Sequence, residues 1–319
     1  MKRKQLGSQG PELSVIGFGA WEAGEGSEWG EAPPRERILE AIRTVFETGI
    51  NWIDTAEVYG AGRSEELVGL AVTGRRDEIL IATKVAPSPE GTGFRPEEVR
   101  RACINSLRRM RTGHVDLYQL HWPDDTGVPV EDTWGAMAAL VEEGLARYIG
   151  VSNFDRELIE RCEAVRHVDS LQAEFSMLNL ENRELIRWCG ENGTGVVCYG
   201  PLAYGLLTGA ITAETRFAPT DFRSGSGEWD YWRKLYAPGK LERSLAVVEA
   251  VRSVAERLGA TVGQVALAWN WNQAGVTSAI AGSRNPEHVH TNAAAGDLEL
   301  DDTTLAELEA LLPLGPAFA

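Results

Sequence analysis

Four residues of proton-handling type stand out in the first half of the chain: Asp54, Tyr59, Lys84 and His121. A phenol, with an ordinary pKa of about 10, is a poor acid at neutral pH. A nearby ammonium stabilises the phenolate and makes Tyr59 a better proton donor. A buried ammonium needs a counter-charge, which Asp54 can supply. His121 can orient a substrate oxygen or relay a proton. Together these residue types suit the protonation of an oxygen as negative charge develops on it. Singly, each has a structural reading. Lys84 could be an ion-pair member, Asp54 a helix cap, Tyr59 a packing residue in a Gly-flanked loop, and His121 a satisfied core residue. A rival pair for acid–base work is Glu57 and Glu174, the two carboxylates a glycosidase would need.

The elements that must position these residues are legible as alternating strands and helices. β-like runs fall at 13–20, 51–56, 79–85, 115–121, 146–152, 170–176, 195–201 and 278–282. Several are continuous apolar runs, such as Ile79-Leu80-Ile81-Ala82, as expected for a parallel sheet covered on both faces. Amphipathic helical stripes fall at 34–48, 64–73, 96–110, 130–143, 156–165 and 182–192. Pro96 sits just inside its helix start, where a missing N–H costs nothing. The pattern predicts a (β/α)8 TIM barrel in one domain spanning 1–319. Helices at 241–258 and 262–272 are extra elements before strand eight, and one at 302–312 ends the barrel, with Asp301 or Asp302 as its N-cap. An open doubly wound sheet is the alternative, but Gly17-Phe18-Gly19 lacks the third glycine of the dinucleotide fingerprint. In a barrel, the C-terminal strand ends share one mouth. Asp54, Lys84 and His121 then lie at three successive strand ends, with Tyr59 in the loop after Asp54. The segment 210–240 reads as a long loop, and its aromatics favour packing on something over disorder.

Composition narrows the partners. The 319 residues carry 47 acidic and 31 basic side chains, a net charge of −16. Such a chain is repelled by phosphate backbones and anionic lipid, so neither nucleic acid nor membrane is an expected partner. The four cysteines, Cys103, Cys162, Cys189 and Cys198, show no metal-ligand spacing and read as reduced thiols. No metal site is expected. No signal-peptide core or apolar span is visible, and a cytoplasmic address is expected. Ten tryptophans call for a large core, a pocket, or both.

The motifs resemble a known family in order. Gly49-Ile50-Asn51-Trp52-Ile53-Asp54-Thr55-Ala56-Glu57-Val58-Tyr59-Gly60 resembles the first signature of the aldo-keto reductases. Leu117-Tyr118-Gln119-Leu120-His121-Trp122-Pro123 resembles the histidine strand. Ile149-Gly150-Val151-Ser152-Asn153, Tyr199-Gly200-Pro201-Leu202 and Ala281-Gly282-Ser283-Arg284 continue the match. The resemblance implies a barrel that binds an extended nicotinamide dinucleotide and uses Asp54, Tyr59, Lys84 and His121 as a catalytic tetrad, with Tyr59 as general acid. It implies a small-molecule carbonyl or alcohol as substrate, interconverted reversibly. Ser152, Asn153 and Gln172 match residues that hold the nicotinamide carboxamide, and Tyr199 the aromatic stacked on its ring. Gly200, Leu202, Gly205, Leu207 and Gly209 match the loop that approaches the pyrophosphate. Gly282, Ser283, Arg284, His288 and Asn292 match the site of the adenosine phosphate. A helix N-terminus with a hydroxyl and an arginine suits an anion.

There are departures from the family pattern. Many relatives carry lysine at Gly282, arginine or glutamine at His288, and glutamate at Thr291. Arg284 is then the one permanent cation for a 2′-phosphate. The expected cofactor is NADP(H), with NAD(H) as the alternative. Trp21 and Trp122 are expected to line the substrate pocket. Trp52 is expected to pack between its strand and a helix, and Trp134, Trp188, Trp269 and Trp271 to pack on helices. The short segment after the last helix argues against a steroid-shaped site. A non-catalytic NADPH-binding regulatory subunit, resembling the β-subunits of potassium channels, is the alternative function.

Overall fold

Eight parallel strands close into a barrel. The computed structural model describes residues 1–24, 29–225 and 234–312. An antiparallel hairpin comes first, β1 (Arg3–Gln5) with β2 (Glu12–Ser14). The barrel strands are β3 (Ile16–Gly19), β4 (Trp52–Asp54), β5 (Leu80–Val85), β6 (Val115–Leu120), β7 (Ala146–Ser152), β8 (Ser170–Glu174), β9 (Gly195–Tyr199) and β10 (Val276–Ile280). Strand β10 pairs with both β3 and β9, which closes the ring.

The expected first strand, 13–20, is two strands. Leu13 pairs antiparallel with Lys4, whereas Ile16 pairs parallel with Ala279. The chain changes partner at Ser14 and Val15. The Ser14 hydroxyl donates to the carbonyl of Ile16 at 2.6 Å, and the Val15 amide donates back to the Lys2 carbonyl. A run of apolar residues cannot reveal such a switch, because both strands bury it.

Helices fill the outside. Between β3 and β4 lie α1 (Arg35–Arg43) and α2 (Val45–Thr48), one expected helix divided at Thr44. The Thr44 hydroxyl bonds back to the Glu40 carbonyl at 2.9 Å, a contact that tends to bend helices. Next come α3 (Arg63–Ala71), α4 (Pro96–Met110), α5 (Val130–Glu142), α6 (Arg156–Glu163) and α7 (Arg183–Glu191). Pro96 occupies the first turn of α4, and Glu98 accepts from the Arg95 amide at 3.0 Å, closing that helix start. After β9 come α8 (Lys240–Leu258) and α9 (Val262–Asn272), and after β10 come α10 (Pro286–Ala294) and α11 (Asp302–Leu311). Asp301 caps α11, accepting from the Thr304 amide at 2.7 Å.

Two cores result. The larger lies between strands and helices and contains Trp134, Trp269 and Trp271, as expected of helix residues. Trp188 is only partly buried and packs at its edge. The smaller core fills the barrel's lower end with Leu6, Leu13, Trp52, Ala82, Leu117, Val197 and Ile280. Trp52 therefore corrects the expectation: it points into the barrel, not toward a helix. Residues two apart on a strand share a face, so Trp52 follows Asp54 inward while Ile53 faces the helices. Gly17 on the neighbouring strand makes room, since a Cβ there would lie 2.1 Å from the indole. The indole N–H donates to the Ser278 hydroxyl at 3.1 Å. The four cysteines are buried and unpaired, and burial pushes the Cys103, Cys162 and Cys189 thiols up to about 12. Among the described residues no helix is long and apolar enough to cross a membrane.

Candidate active site

Asp54, Lys84 and His121 meet at the C-terminal end of the barrel, and Tyr59 reaches them from the loop after β4. Lys84 is fully buried. Its Nζ donates to Asp54 Oδ1 at 2.6 Å, to the Thr55 carbonyl at 2.9 Å and to the Tyr59 hydroxyl at 3.2 Å. All three ammonium hydrogens are thus used, and one points at the phenol. Burial pulls the Lys84 ammonium below its ordinary range, and the Asp54 carboxylate partly restores it. The ring centroid of His121 lies 5.5 Å from that of Tyr59, edge to face. Burial, and then the Lys84 charge, hold His121 well below the ordinary 6.5. It is therefore a neutral imidazole near pH 7, with one nitrogen to donate and one to accept.

The placement of Tyr59 rests on a close crossing of two loops that only glycine permits. Tyr59 opens a short turn, Tyr59–Gly62, in which Gly60 has φ 58°. A Cβ on Gly60 would come within 1.6 Å of the Gly24 carbonyl. The loops after β3 and β4 can cross only because both glycines lack side chains. Trp21, from the turn Trp21–Gly24, then lies 6.3 Å from the Tyr59 ring. Trp122 packs on His121 at 4.5 Å. Both expected pocket tryptophans thus flank the tetrad side chains.

The residues matched to the nicotinamide form a second layer at the mouth. Gln172 Nε2 donates to Asp54 Oδ2 at 2.9 Å, so the two oxygens of Asp54 serve different partners. Sequence alone gave no sign of this contact. Asn153 has φ 60°. Its Nδ2 donates to the His121 carbonyl at 3.1 Å and to the Ser152 hydroxyl at 3.2 Å, and its Oδ1 accepts from the Tyr199 hydroxyl at 2.9 Å. Beyond Tyr199 the backbone turns left-handed at Gly200 (φ 64°), Gly205 (φ 103°) and Gly209 (φ 76°). Leu202 is half-buried and Leu207 buried along this loop. Gly282 lies against β3: a Cβ there would approach the Gly19 carbonyl to 2.5 Å. Ser283 accepts from the Asn285 amide at 3.1 Å and contacts His288 Nδ1 at 3.2 Å, at the start of α10. Asn292 is half-buried on that helix. Arg284 is engaged by carbonyls, donating to Trp29 at 2.8 Å and Glu31 at 3.4 Å.

An aromatic wall joins this layer, and its members Trp29 and Tyr204 carry no sequence signal for it. Trp21 contacts Trp29 at 5.0 Å, Phe222 at 6.3 Å and Tyr204 at 6.4 Å between ring centroids. Arg223 lies over Trp29 and Phe217, at 5.2 and 4.6 Å. The segment 210–225 therefore packs on the loop after β3, as its aromatic content foretold. Trp229, Tyr231 and Trp232 of the same expected loop lie outside the described residues.

The rival carboxylates are otherwise employed. Glu57 accepts from the Ala86 and Thr92 amides, each at 3.0 Å, and from the Thr92 hydroxyl at 2.6 Å, clamping the loop after β5. Glu174 accepts from the Tyr204 hydroxyl at 3.2 Å. Both are holding loops.

A parallel eight-stranded barrel with a buried Asp–Lys pair aimed at a phenol places the chain among barrel oxidoreductases, and the comparisons agree. The model of the Aldo/keto reductase family matches residues 15–313. The chain is 33% identical to the aldo-keto reductase YhdN of Bacillus subtilis, covering 100% of this chain and 97% of that one. It is 32% identical to the aldo-keto reductase str7 of Strobilurus tenacellus, covering 94% and 89%. Among solved structures, the glycerol dehydrogenase AKR11B4 from Gluconobacter oxydans matches with a TM-score of 0.85 at 28% identity, over 99% of this chain and 98% of that one. The aldo-keto reductase AKR11C1 from Bacillus halodurans matches with a TM-score of 0.78 at 26% identity, over 99% and 97%. The protein belongs to the aldo/keto reductase family.

Proposed function

We propose that this protein is an NADP(H)-dependent oxidoreductase that reversibly reduces an aldehyde or ketone to the alcohol, with Tyr59 as general acid. The observation that carries the reading is the Lys84 ammonium, 3.2 Å from the Tyr59 hydroxyl and paired at 2.6 Å with Asp54. When Tyr59 gives its proton to a substrate oxygen, that ammonium stabilises the phenolate left behind. In a buried setting the attraction is stronger than in water. Neutral His121 can donate to the same oxygen and fix its orientation without competing for the proton. Trp21 and Trp122 bound the space where the carbonyl group would sit.

The residues at the mouth fit a nicotinamide dinucleotide. Ser152, Asn153 and Gln172 offer an amide-and-hydroxyl set for a carboxamide, and Tyr199 offers a ring whose hydroxyl Asn153 anchors. The start of α10, with Ser283 and Arg284, offers donors for a phosphate. NADP(H) is the preferred form because Arg284 is a permanent cation there; NAD(H) is the alternative. The bound dinucleotide supplies the hydride, which the side chains of the tetrad cannot. The chain's partner is then a small carbonyl or alcohol, in a cytoplasmic setting.

The test is Tyr59→Phe, assayed at 340 nm against a panel of aldehydes and ketones with NADPH and NADH in parallel. Removing a general acid should lower the rate by about 10²–10⁴-fold while NADPH still binds. Near-normal turnover would sink the assignment.

A further inference from the structure

Glu22 is a carboxyl that the proposed reaction does not use, placed where a phosphate is expected. It lies in the turn Trp21–Gly24, directly after the first barrel strand. Its Oε1 is 3.7 Å from the position a Cβ would take on Gly282, so it borders the Gly282-Ser283-Arg284 turn. Two guanidinium groups act on it, but both are committed elsewhere. Arg284 donates to the Trp29 and Glu31 carbonyls. Arg223 grips Asp221 with two bonds, at 2.9 and 2.7 Å. Among the described residues no donor hydrogen-bonds to Glu22, and Asp221 adds a second negative charge facing it. On its other side the turn packs against the segment that carries Tyr59 and Arg63. Burial, the largest influence, raises the Glu22 carboxyl above its ordinary range, against the pull of Arg284 and Arg223.

A lone ionised carboxylate beside this turn repels any phosphate brought to it, and the cost grows as water is excluded. A protonated carboxyl has the opposite effect, since its O–H can donate to a phosphate oxygen. We propose that Glu22 is a specificity-determining residue of the cofactor site that takes up a proton when a dinucleotide binds. Affinity for the dinucleotide is then set by pH through one side chain of the β3 loop, outside the tetrad. This rests on the cofactor reading above.

The experiment is an equilibrium titration of the whole protein with NADPH, and with NADH as the control, followed by tryptophan quenching, from pH 5.5 to 8.5. NADPH carries the 2′-phosphate expected at the Gly282-Ser283-Arg284 turn, and NADH, which lacks it, is the control for proton coupling elsewhere in the site. Coupling to one proton weakens binding by up to about tenfold per pH unit above the Glu22 titration. Glu22→Gln should flatten that slope for NADPH and bind NADPH more tightly than the parent at pH 8, with NADH binding little changed. Parallel slopes in the two proteins would overturn the role of Glu22 and leave the cofactor reading standing. No saturable binding in either protein at any pH would overturn the cofactor reading, and the role of Glu22 with it.

Discussion

The barrel carries a buried carboxylate paired with cations at each end, and the two pairs are built differently. At the lower rim, Asp116 accepts from Arg76 at 2.6 Å, Arg147 at 2.9 Å and the Ile81 amide at 2.8 Å. Every one of those bonds ties one segment of the fold to another. At the mouth, Asp54 holds Lys84, and Lys84 spends its last hydrogen on Tyr59, a side chain facing the opening. The lower cluster closes on itself; the upper one ends on a group that can react. In barrels of this kind the lower face serves stability and the upper face serves chemistry.

This contrast can be broken most severely at Lys84. Lys84→Met keeps the volume and removes the charge. Carbonyl reduction at pH 7 should fall about 10²–10⁴-fold, with the thermal transition still cooperative. A variant that stays active would mean that the upper cluster is merely another structural pair. The complementary change is Trp52→Ala in the lower core. It should cost about 3–5 kcal/mol in denaturant unfolding, with kcat changing little under folded conditions. A large loss of kcat in a stable Trp52→Ala protein would show that the floor also shapes the site.

A smaller effect is the pH dependence contributed by His121. Folded His121 titrates well below 6.5, because burial and Lys84 resist its charge. Below pH 6.5 the unfolded chain therefore binds a proton that the folded chain refuses. Stability is retained above 6.5 and lost as pH falls toward the folded pKa, with a slope of at most about 1.4 kcal/mol per pH unit. His121→Gln should remove this part of the slope. Urea midpoints for the two proteins at pH 7, 6 and 5 check it, and identical slopes would mean that His121 takes its proton equally well in both states.

How far these features could be read in advance depended on how local they are. Polar residues at strand ends are local signals, so the meeting of Asp54, Tyr59, Lys84 and His121 at one mouth and the order of the barrel strands are legible in the sequence. The side that Trp52 takes is not legible: deciding which alternate face is interior requires knowing that Asp54 points inward and that Gly17, on another strand, leaves a gap. The split at Ser14 was hidden because both halves of 13–20 are apolar. The wall of Trp21, Trp29 and Phe222 joins loops far apart in the chain, and nothing in either loop announces the other. Gln172 was found as a mouth residue, but its bond to Asp54 spans β4 to β8 and is visible only in three dimensions. Glu22 had no sequence signal at all, since a glutamate in a loop is ordinarily a solvated one.

The division between the two ends is tested most sharply by a matched pair, Asp54→Asn and Asp116→Asn. Both remove one buried carboxylate charge and keep its shape. Carbonyl reduction is measured at equal folded fraction, alongside the urea midpoint. Asp54→Asn should lose most of its activity, by tenfold or more on the scale of about 10²–10⁴ for a full loss of acid catalysis. Asp116→Asn should keep its rate and lose stability, by about 1–3 kcal/mol. Full activity in Asp54→Asn, or an equal loss of rate in both variants, would mean that the two clusters do the same work.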